Sequence, residues 1–305
     1  MPKLKHWIMV AHPWAWPASG SPALIAFSYV FYMYKTGMIN EVNWTFGILA
    51  IVGAIIFHAS GNLISEYHDY VSGVDRMEKT GPIRLIVLGV FKPKPVLIYG
   101  YIVLFVGILL GIYLLMNTGL PLLFIGIIGI ISSTLYYKFK YAGLSDFIIF
   151  VCYGLSVALG VTYVMTSQLI WSTLLVSTPV GLLIVAILHA NNTRDMLQDK
   201  AAGIKTQAMR LGVEGSQVVY QTLLLAAYMV VAVTVMLGFL HPIVFLVLLS
   251  FPVALKNIKL MKTATIDNLA KIQFLDTHTA QLVLMFSVLM AAGNFAAPYI
   301  IKMIN

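Results

Sequence analysis

Apolar runs of about 20 residues recur along the whole chain and constrain its fold more than any other feature. Nine runs can be counted, at residues 17–36, 46–67, 95–116, 120–137, 145–166, 172–193, 216–238, 241–256 and 279–301. A helix of this length crosses a hydrocarbon layer of about 30 Å. Backbone groups in lipid must hydrogen-bond internally, and the runs lack the alternation of a barrel strand. The sequence therefore predicts an all-α, polytopic membrane protein with about nine transmembrane helices.

Composition agrees with this class, because 60% of the 305 residues are hydrophobic and only 10% are charged. No hydrophilic stretch is long enough to form a second domain, so we expect one transmembrane domain over residues 1–305. The single cysteine, Cys152, lies within an apolar run and excludes a disulfide framework.

The net charge of +8 is distributed as in a membrane protein and does not indicate nucleic-acid binding. With nine spans, 17 of the 19 basic residues fall on one side: Lys3, Lys5, Arg76, Lys79, Arg84, Lys92, Lys94, Lys138, Lys140, Arg194, Lys200, Lys205, Arg210, Lys256, Lys259, Lys262 and Lys271. This asymmetry predicts a cytoplasmic N-terminus. Short loops and the lack of a transit peptide favour the inner membrane of a bacterium or archaeon. No protein partner is predicted.

Acidic residues are rare, and five of the 11 lie in two short segments, 62–75 and 191–203: Glu66, Asp69, Asp75, Asp195 and Asp199. Each segment ends an even-numbered span, on the side predicted to be cytoplasmic. Carboxylates at the end of a membrane helix are costly and usually mark function. Two such clusters suggest divalent cations and a phosphorylated substrate.

The first segment, NLISEYHDYVSGVD, places several oxygen donors on one helical face. Glu66 and Asp69 are three residues apart, Asn62 precedes Glu66 by four, and Ser65 precedes Asp69 by four. Mg²⁺ prefers carboxylate and amide oxygens and is commonly bound together with substrate phosphates. This face therefore predicts a metal and substrate site, with a solvated helix end as the simpler alternative.

The polar stretch that follows adds a carboxylate and a cation. We expect the helix to end at Gly73, just before Asp75. Arg84 lies among apolar neighbours in GPIRLIVLG, where a guanidinium can hold a diphosphate oxygen. Arg76 and Lys79 are interpreted only as positive-inside residues.

In the second segment, NNTRDMLQDKAAG, Asn191, Asp195 and Asp199 recur every four residues and form a polar stripe on one helical face. Arg194 is expected to point elsewhere, although pairing with a carboxylate is the alternative. His189, within the preceding span, is interpreted as a hydrogen-bonded core histidine.

These segments resemble the UbiA superfamily of intramembrane prenyltransferases, which carry an Asn-x-x-x-Asp motif after the second helix and an Asp-x-x-x-Asp motif after the sixth. Within it, the likeness is closest to the MenA-type 1,4-dihydroxy-2-naphthoate polyprenyltransferases of menaquinone synthesis. The similar segments are AHPWAWPASGSP (11–22), NLISEYHDYVSGVD (62–75), GPIRLIVLG (81–89), KYAGLSDFIIFVCYGLSVALGVTYVMT (140–166) and NNTRDMLQDKAAGIKT (191–206). The chain departs from the family at Ser65-Glu66, usually Asn-Asp, and at His12-Pro13, usually Arg-Pro.

The resemblance implies a helical bundle around a central cavity and Mg²⁺-dependent transfer of a polyprenyl group from its diphosphate to an aromatic acceptor. It implies two Mg²⁺ ions, one on Glu66 and Asp69 and the other on Asp195 and Asp199. Asp69, Asp75, Asp195 and Asp199 are the expected catalytic residues, and the expected substrate-binding residues are His12, Asn62, Ser65, Arg84, Tyr136, Lys140 and Asn191. Lys140 is expected on the diphosphate, with Asp146 as a possible ion-pair partner.

Other functions remain open. Acceptors such as 4-hydroxybenzoate, homogentisate, haem or glycerol phosphate fit the same superfamily. A polytopic transporter is the main alternative of another class, but it predicts ionisable residues near the bilayer midplane. A non-catalytic membrane scaffold would need no paired carboxylates. Asp267 and Asp276, in the last cytoplasmic loop, are interpreted as a solvated face.

Overall fold

A computed structural model describes residues 2–75, 77 and 84–304, so Arg76 and Lys79 lie outside the described residues. Its helices are α1 (Leu4–Met9), α2 (Pro17–Lys35), α3 (Trp44–Val71), α4 (Pro93–Thr118), α5 (Pro121–Tyr141), α6 (Ser145–Thr166), α7 (Ser172–Arg194), α8 (Met196–Ala201), α9 (Gln207–Met236), α10 (Pro242–Met261) and α11 (Leu275–Ile304). Helix α6 contains a π-helical segment at Phe150–Ser156, and α10 begins with a 3₁₀ segment at Pro242–Ser250. Short 3₁₀ turns occur at Pro13–Ala15 and Leu269–Ile272, and the described residues contain no β-strand.

Each of the nine predicted spans coincides with a helix, and the chain is a multi-pass membrane protein. Eight helices within the described ranges are long and apolar enough to cross a membrane. The ninth, α2, has 19 residues but begins with proline, serine and glycine, which lower its hydropathy. It can remain in the bundle because its apolar residues, such as Ile25 and Val30, are buried against other helices and do not face lipid.

The largest buried hydrophobic cluster lies among α2, α6, α7, α9, α10 and α11, with α7 at its centre. In α7, 67% of the most apolar segment is buried, against 11% in α5, so α5 lies towards the periphery of the bundle. Helices α6 and α7 approach closely at Gly154 and Gly181. A Cβ added to Gly181 would lie 2.5 Å from the Gly154 Cα, so the contact requires glycine.

The helix ends that carry polar residues converge at one end of the bundle. They are the C-terminal ends of α3, α5 and α7, together with the beginning of α11 and the segment between α1 and α2. Helix α3 ends at Val71, and Gly73 follows with a left-handed φ of +71°, as predicted for this position. The backbone N–H groups of Val74 and Asp75 then donate to the Asp69 carbonyl at 2.8 and 3.0 Å. This turn returns Asp75 to the end of its own helix.

Candidate active site

A cavity of about 380 Å³, here called the polar cavity, lies where these helix ends meet. Eleven of the twelve predicted site residues line it: His12, Asn62, Ser65, Glu66, Asp69, Asp75, Arg84, Tyr136, Lys140, Asn191 and Asp195. The two acidic segments, more than a hundred residues apart in the chain, therefore face one space. Their roles in binding or catalysis stay predictions.

Asp69 joins the first acidic segment to α5. Lys140 Nζ lies 2.7 Å from Asp69 Oδ2, and the Tyr141 hydroxyl donates to Asp69 Oδ1 at 2.9 Å. Both carboxylate oxygens are thus held by one helix end. The sequence analysis placed Lys140 near a diphosphate but did not identify Tyr141, because adjacent helical residues do not share a face when the helix is considered alone.

Glu66 is linked to the N-terminal segment through His12, which has a left-handed φ of +54°. Burial lowers the pKa of the His12 imidazole, and the nearby Arg84 charge lowers it further, whereas Glu66 acts in the opposite direction. His12 Nε2 lies 2.5 Å from Glu66 Oε2, and Arg84 Nη1 lies 3.2 and 3.1 Å from the two ring nitrogens of His12. Arg84 Nε also lies 3.6 Å from Asp75 Oδ2.

Arg194 is the main correction in the second segment, because it does not point away from the carboxylates. Its Nε and Nη2 donate to Asp195 Oδ1 and Oδ2 at 2.7 and 3.0 Å. Its Nη1 donates to Asp276 Oδ2 at 2.6 Å. Asp276 lines the polar cavity, so its interpretation as part of a solvated loop face was wrong. With its amide oxygen towards Arg194, Asn191 donates to Asp195 Oδ2 at 3.3 Å.

Asp199 is the one predicted site residue that does not line the polar cavity. Helix α7 ends at Arg194, and Asp195 has a φ of −89° and a ψ of 7°, outside regular helix geometry. A new short helix, α8, carries Asp199, which is buried. Helical backbone bonds nevertheless continue across this point, from Asp195 N–H to the Asn191 carbonyl at 3.0 Å and from Asp199 N–H to the Asp195 carbonyl at 2.8 Å, so the expected stripe is present but only its first two residues line the cavity.

Beside the cavity, His189 is fully buried and its Nδ1 lies 3.0 Å from Asp146 Oδ2. This confirms the interpretation of His189 as a hydrogen-bonded core histidine. The Ser145 hydroxyl also donates to Asp146, at 3.2 Å. Asp146 thus takes part in an α6–α7 contact, whereas the expected partner Lys140 pairs with Asp69.

The polar cavity contains the types of oxygen ligand that Mg²⁺ prefers. Glu66, Asp69, Asp75 and Asp195 supply carboxylate oxygens, and Asn62 and Asn191 supply amides. Glu66 Oε1 is buried without a hydrogen-bond partner among the described residues, which leaves a lone pair for a cation. No three His, Cys, Asp or Glu residues in the described ranges are already close enough to form a metal site. Binding a cation would therefore require the carboxylates to leave part of their contacts with Lys140, Arg84 and Arg194.

A second cavity of about 360 Å³, here called the apolar chamber, lies among α3, α4, α5 and α6. Almost all of its lining is hydrocarbon, and His58 and Tyr153 line both this chamber and the polar cavity. Gly111 and Gly126 face open space, since a Cβ at either would meet nothing within 4 Å. The sequence analysis missed His58 and Tyr153, because no local pattern distinguishes them from ordinary residues of a span.

Comparisons with known proteins agree with this architecture. The chain is similar to UbiA prenyltransferase domain-containing protein 1 of Danio rerio, with 31% identity over 233 residues, 74% of this chain and 67% of that protein. The Rattus norvegicus protein of the same name is 28% identical over 302 residues, 97% of this chain and 85% of that protein.

Solved structures share the fold. A UbiA homologue from Aeropyrum pernix K1 superposes with a TM-score of 0.66 at 15% identity, covering 93% of this chain and 98% of that one. A UbiA homologue from Archaeoglobus fulgidus bound to DMAPP and Mg²⁺ gives a TM-score of 0.61 at 13% identity, with the same coverage. The profile of the UbiA prenyltransferase family matches residues 19–277. The chain therefore belongs to the UbiA prenyltransferase family.

Proposed function

We propose that this protein transfers a polyprenyl group from its diphosphate to an aromatic acceptor within the membrane, and that the reaction depends on Mg²⁺. The proposal rests on one observation. The polar cavity and the apolar chamber are adjacent, because His58 and Tyr153 line both of them. A prenyl diphosphate has a charged head and a hydrocarbon tail, so it needs two such spaces side by side. Family membership supports the same reaction class.

In this proposal the diphosphate binds in the polar cavity. Lys140 and Arg84 supply positive charge, and Glu66, Asp69 and Asp195 would hold two Mg²⁺ ions. When bound, Mg²⁺ neutralises the charge that develops on the leaving diphosphate. Asp199 was expected to serve the second ion, but its position outside the cavity lining makes Asp195, beside Asn191, the better candidate.

The reacting carbon would then lie near Tyr136 and Tyr153. The allylic C–O bond breaks, its electron pair leaves with the diphosphate, and an electron-rich carbon of the acceptor attacks the prenyl carbon. Tyr136 and Tyr153 both line the polar cavity, and aromatic faces attract cationic carbon. Shelter from water is required, since water would otherwise capture the cation.

For the acceptor we propose 1,4-dihydroxy-2-naphthoate, whose carboxylate would be lost as CO₂ to give the reduced, quinol form of demethylmenaquinone. Support comes from the likeness of segments 62–75 and 191–206 to the MenA-type enzymes. The curated relatives reported above share a family name that specifies no acceptor. 4-Hydroxybenzoate, homogentisate, haem and glycerol phosphate are therefore the alternatives to be tested.

We also propose that the chain is one domain in the inner membrane, with the polar cavity at its cytoplasmic side. The charge asymmetry supports this orientation, because a nine-span topology counted along the sequence assigns 17 of the 19 basic residues to the same side of the membrane as the two acidic segments.

The proposal is tested with purified protein in detergent, Mg²⁺ and geranylgeranyl diphosphate. 1,4-Dihydroxy-2-naphthoate and 4-hydroxybenzoate are supplied in separate reactions, and the products are identified by mass. We expect a prenylated, decarboxylated naphthoquinol and Mg²⁺-dependent release of diphosphate. Prenylation of 4-hydroxybenzoate alone would refute the naphthoate assignment. A lack of prenyl transfer to either acceptor or to the other candidates would refute the reaction class.

A further inference from the structure

Arg194 lies between two carboxylates that come from distant parts of the chain. Two of its nitrogens form a fork on both oxygens of Asp195, and the third, Nη1, contacts Asp276 Oδ2 and the Gln273 carbonyl at 2.6 and 3.1 Å. The Arg194 side chain is only 2% exposed, and that of Asp276 is 16% exposed. Both aspartates line the polar cavity.

The fork on Asp195 has a direct consequence for cation binding. A bidentate arginine–carboxylate pair uses both oxygens of the carboxylate and is among the strong charge-assisted contacts. A divalent cation at Asp195 must therefore displace part of this pair, so Arg194 and the cation compete for the same oxygens.

Asp276 offers Arg194 a second anchor. A buried guanidinium without a counterion is strongly destabilising. If Asp195 were the only partner of Arg194, breaking their contact would therefore carry a large free-energy penalty. Because Nη1 is already held by Asp276 and by the Gln273 carbonyl, Arg194 can release Asp195 and still remain paired with α11.

We propose that Arg194 and Asp276 together set the affinity of the Asp195 carboxylate for divalent cations. Arg194 lowers this affinity by competing for Asp195, and Asp276 raises it by drawing Arg194 away. The inference rests on the proposed function, since it assumes that Asp195 carries a metal ion.

The test measures binding of Mn²⁺, as a spectroscopic substitute for Mg²⁺, by electron paramagnetic resonance of the full-length protein in detergent. Titrations are done with Mn²⁺ alone and with an unreactive prenyl thiodiphosphate. We expect Arg194→Gln to tighten Mn²⁺ binding by about tenfold, the effect of losing one charge-assisted contact. We expect Asp276→Asn to weaken Mn²⁺ binding by about threefold, because Arg194 then loses its charged partner on α11 and pairs more strongly with Asp195.

The double variant decides how Asp276 acts. If Asp276 works only through Arg194, Arg194→Gln/Asp276→Asn binds Mn²⁺ as tightly as Arg194→Gln alone. If the double variant binds more weakly than Arg194→Gln, Asp276 acts directly on the metal and the proposal is overturned. Arg210→Gln and Asp267→Asn are the matched controls, since they change charge equally at residues outside the cavity lining, and both should retain wild-type affinity.

Failure of this inference differs from failure of the proposed function. Wild-type protein that binds Mn²⁺, with unchanged affinity in Arg194→Gln, overturns the competition alone. Wild-type protein that binds no Mn²⁺ even with the thiodiphosphate contradicts the proposed function and removes the site on which the inference rests. A variant that does not fold is recognised by its melting transition, and Arg194→Lys, which keeps the charge but loses the two-point contact with Asp195, then replaces Arg194→Gln in the single and double variants.

Discussion

Lys140 on α5 and Asp69 on α3 form an ion pair of 2.7 Å inside the polar cavity. The two side chains are only 12% and 9% exposed, so each charge depends on the other for compensation. In the proposed function, a diphosphate entering the cavity would give Lys140 a new anionic partner and would free Asp69 to bind a cation. Lys140 would then balance the charge of the diphosphate, and Asp69 would balance the charge of its metal ion.

Replacing Lys140 tests this arrangement. Lys140→Met should raise the KM for the prenyl diphosphate and lower kcat/KM by about 100-fold, since a charge-assisted phosphate contact of about 3 kcal/mol is lost. Lys138→Met is the matched control, because Lys138 is exposed two residues earlier on the same helix. Equal loss of kcat/KM in both variants would contradict a specific role for Lys140.

Carboxylates of both acidic segments should be required for turnover. Asp69→Ala and Asp195→Ala are each expected to reduce kcat by at least about 1,000-fold, because electrostatic stabilisation of the leaving group is the main catalytic term proposed. Activity is measured as diphosphate release, and membrane insertion is checked by yield and monodispersity in detergent. Asp267→Ala, at an exposed position, should keep its activity. Full turnover in either cavity variant would show that the metal assignment is wrong.

The apolar chamber should determine which prenyl tails fit. Gly126→Phe places a ring in open space of the chamber and should lower kcat/KM for geranylgeranyl diphosphate at least about tenfold more than for dimethylallyl diphosphate. Competition assays between the two donors measure this ratio. Ile131→Phe, on the same helix but outside the chamber lining, should leave the ratio unchanged. An unchanged ratio in Gly126→Phe would place the tail elsewhere.

The α6–α7 contact should be sensitive to a single methyl group. Gly181→Ala should destabilise the protein by about 1–3 kcal/mol, because its Cβ would overlap the Gly154 backbone and the helices must separate. Thermal unfolding in detergent measures the change. Gly126→Ala, in a helix with open space at the new Cβ, should be neutral or slightly stabilising. Equal melting temperatures for Gly181→Ala and wild type would show that the close approach is absent.

Helix positions were predictable from the sequence because lipid imposes a strong local constraint. Every predicted span coincides with a helix, and the left-handed turn at Gly73, just after α3 ends at Val71, followed from the glycine itself. Seven of the eleven site residues around the polar cavity belong to the two acidic segments, and their convergence followed from the placement of both segments at the same end of even-numbered helices. Arg84 was predicted from its apolar surroundings, whereas His12, Tyr136 and Lys140 were expected from the resemblance to a known family.

Tertiary structure alone decided which charges pair. Arg194 meets Asp276, 82 residues away, because α11 begins beside the end of α7, and no local spacing encodes that neighbour. Asp199 lies outside the cavity lining although its backbone N–H still donates to the Asp195 carbonyl one turn earlier, so helical spacing alone did not predict its exclusion. Hydropathy and helical periodicity depend only on residues that are close together along the chain, so they can be determined from the sequence. Ion pairs depend on how separate helices pack, so they are settled only when the bundle forms.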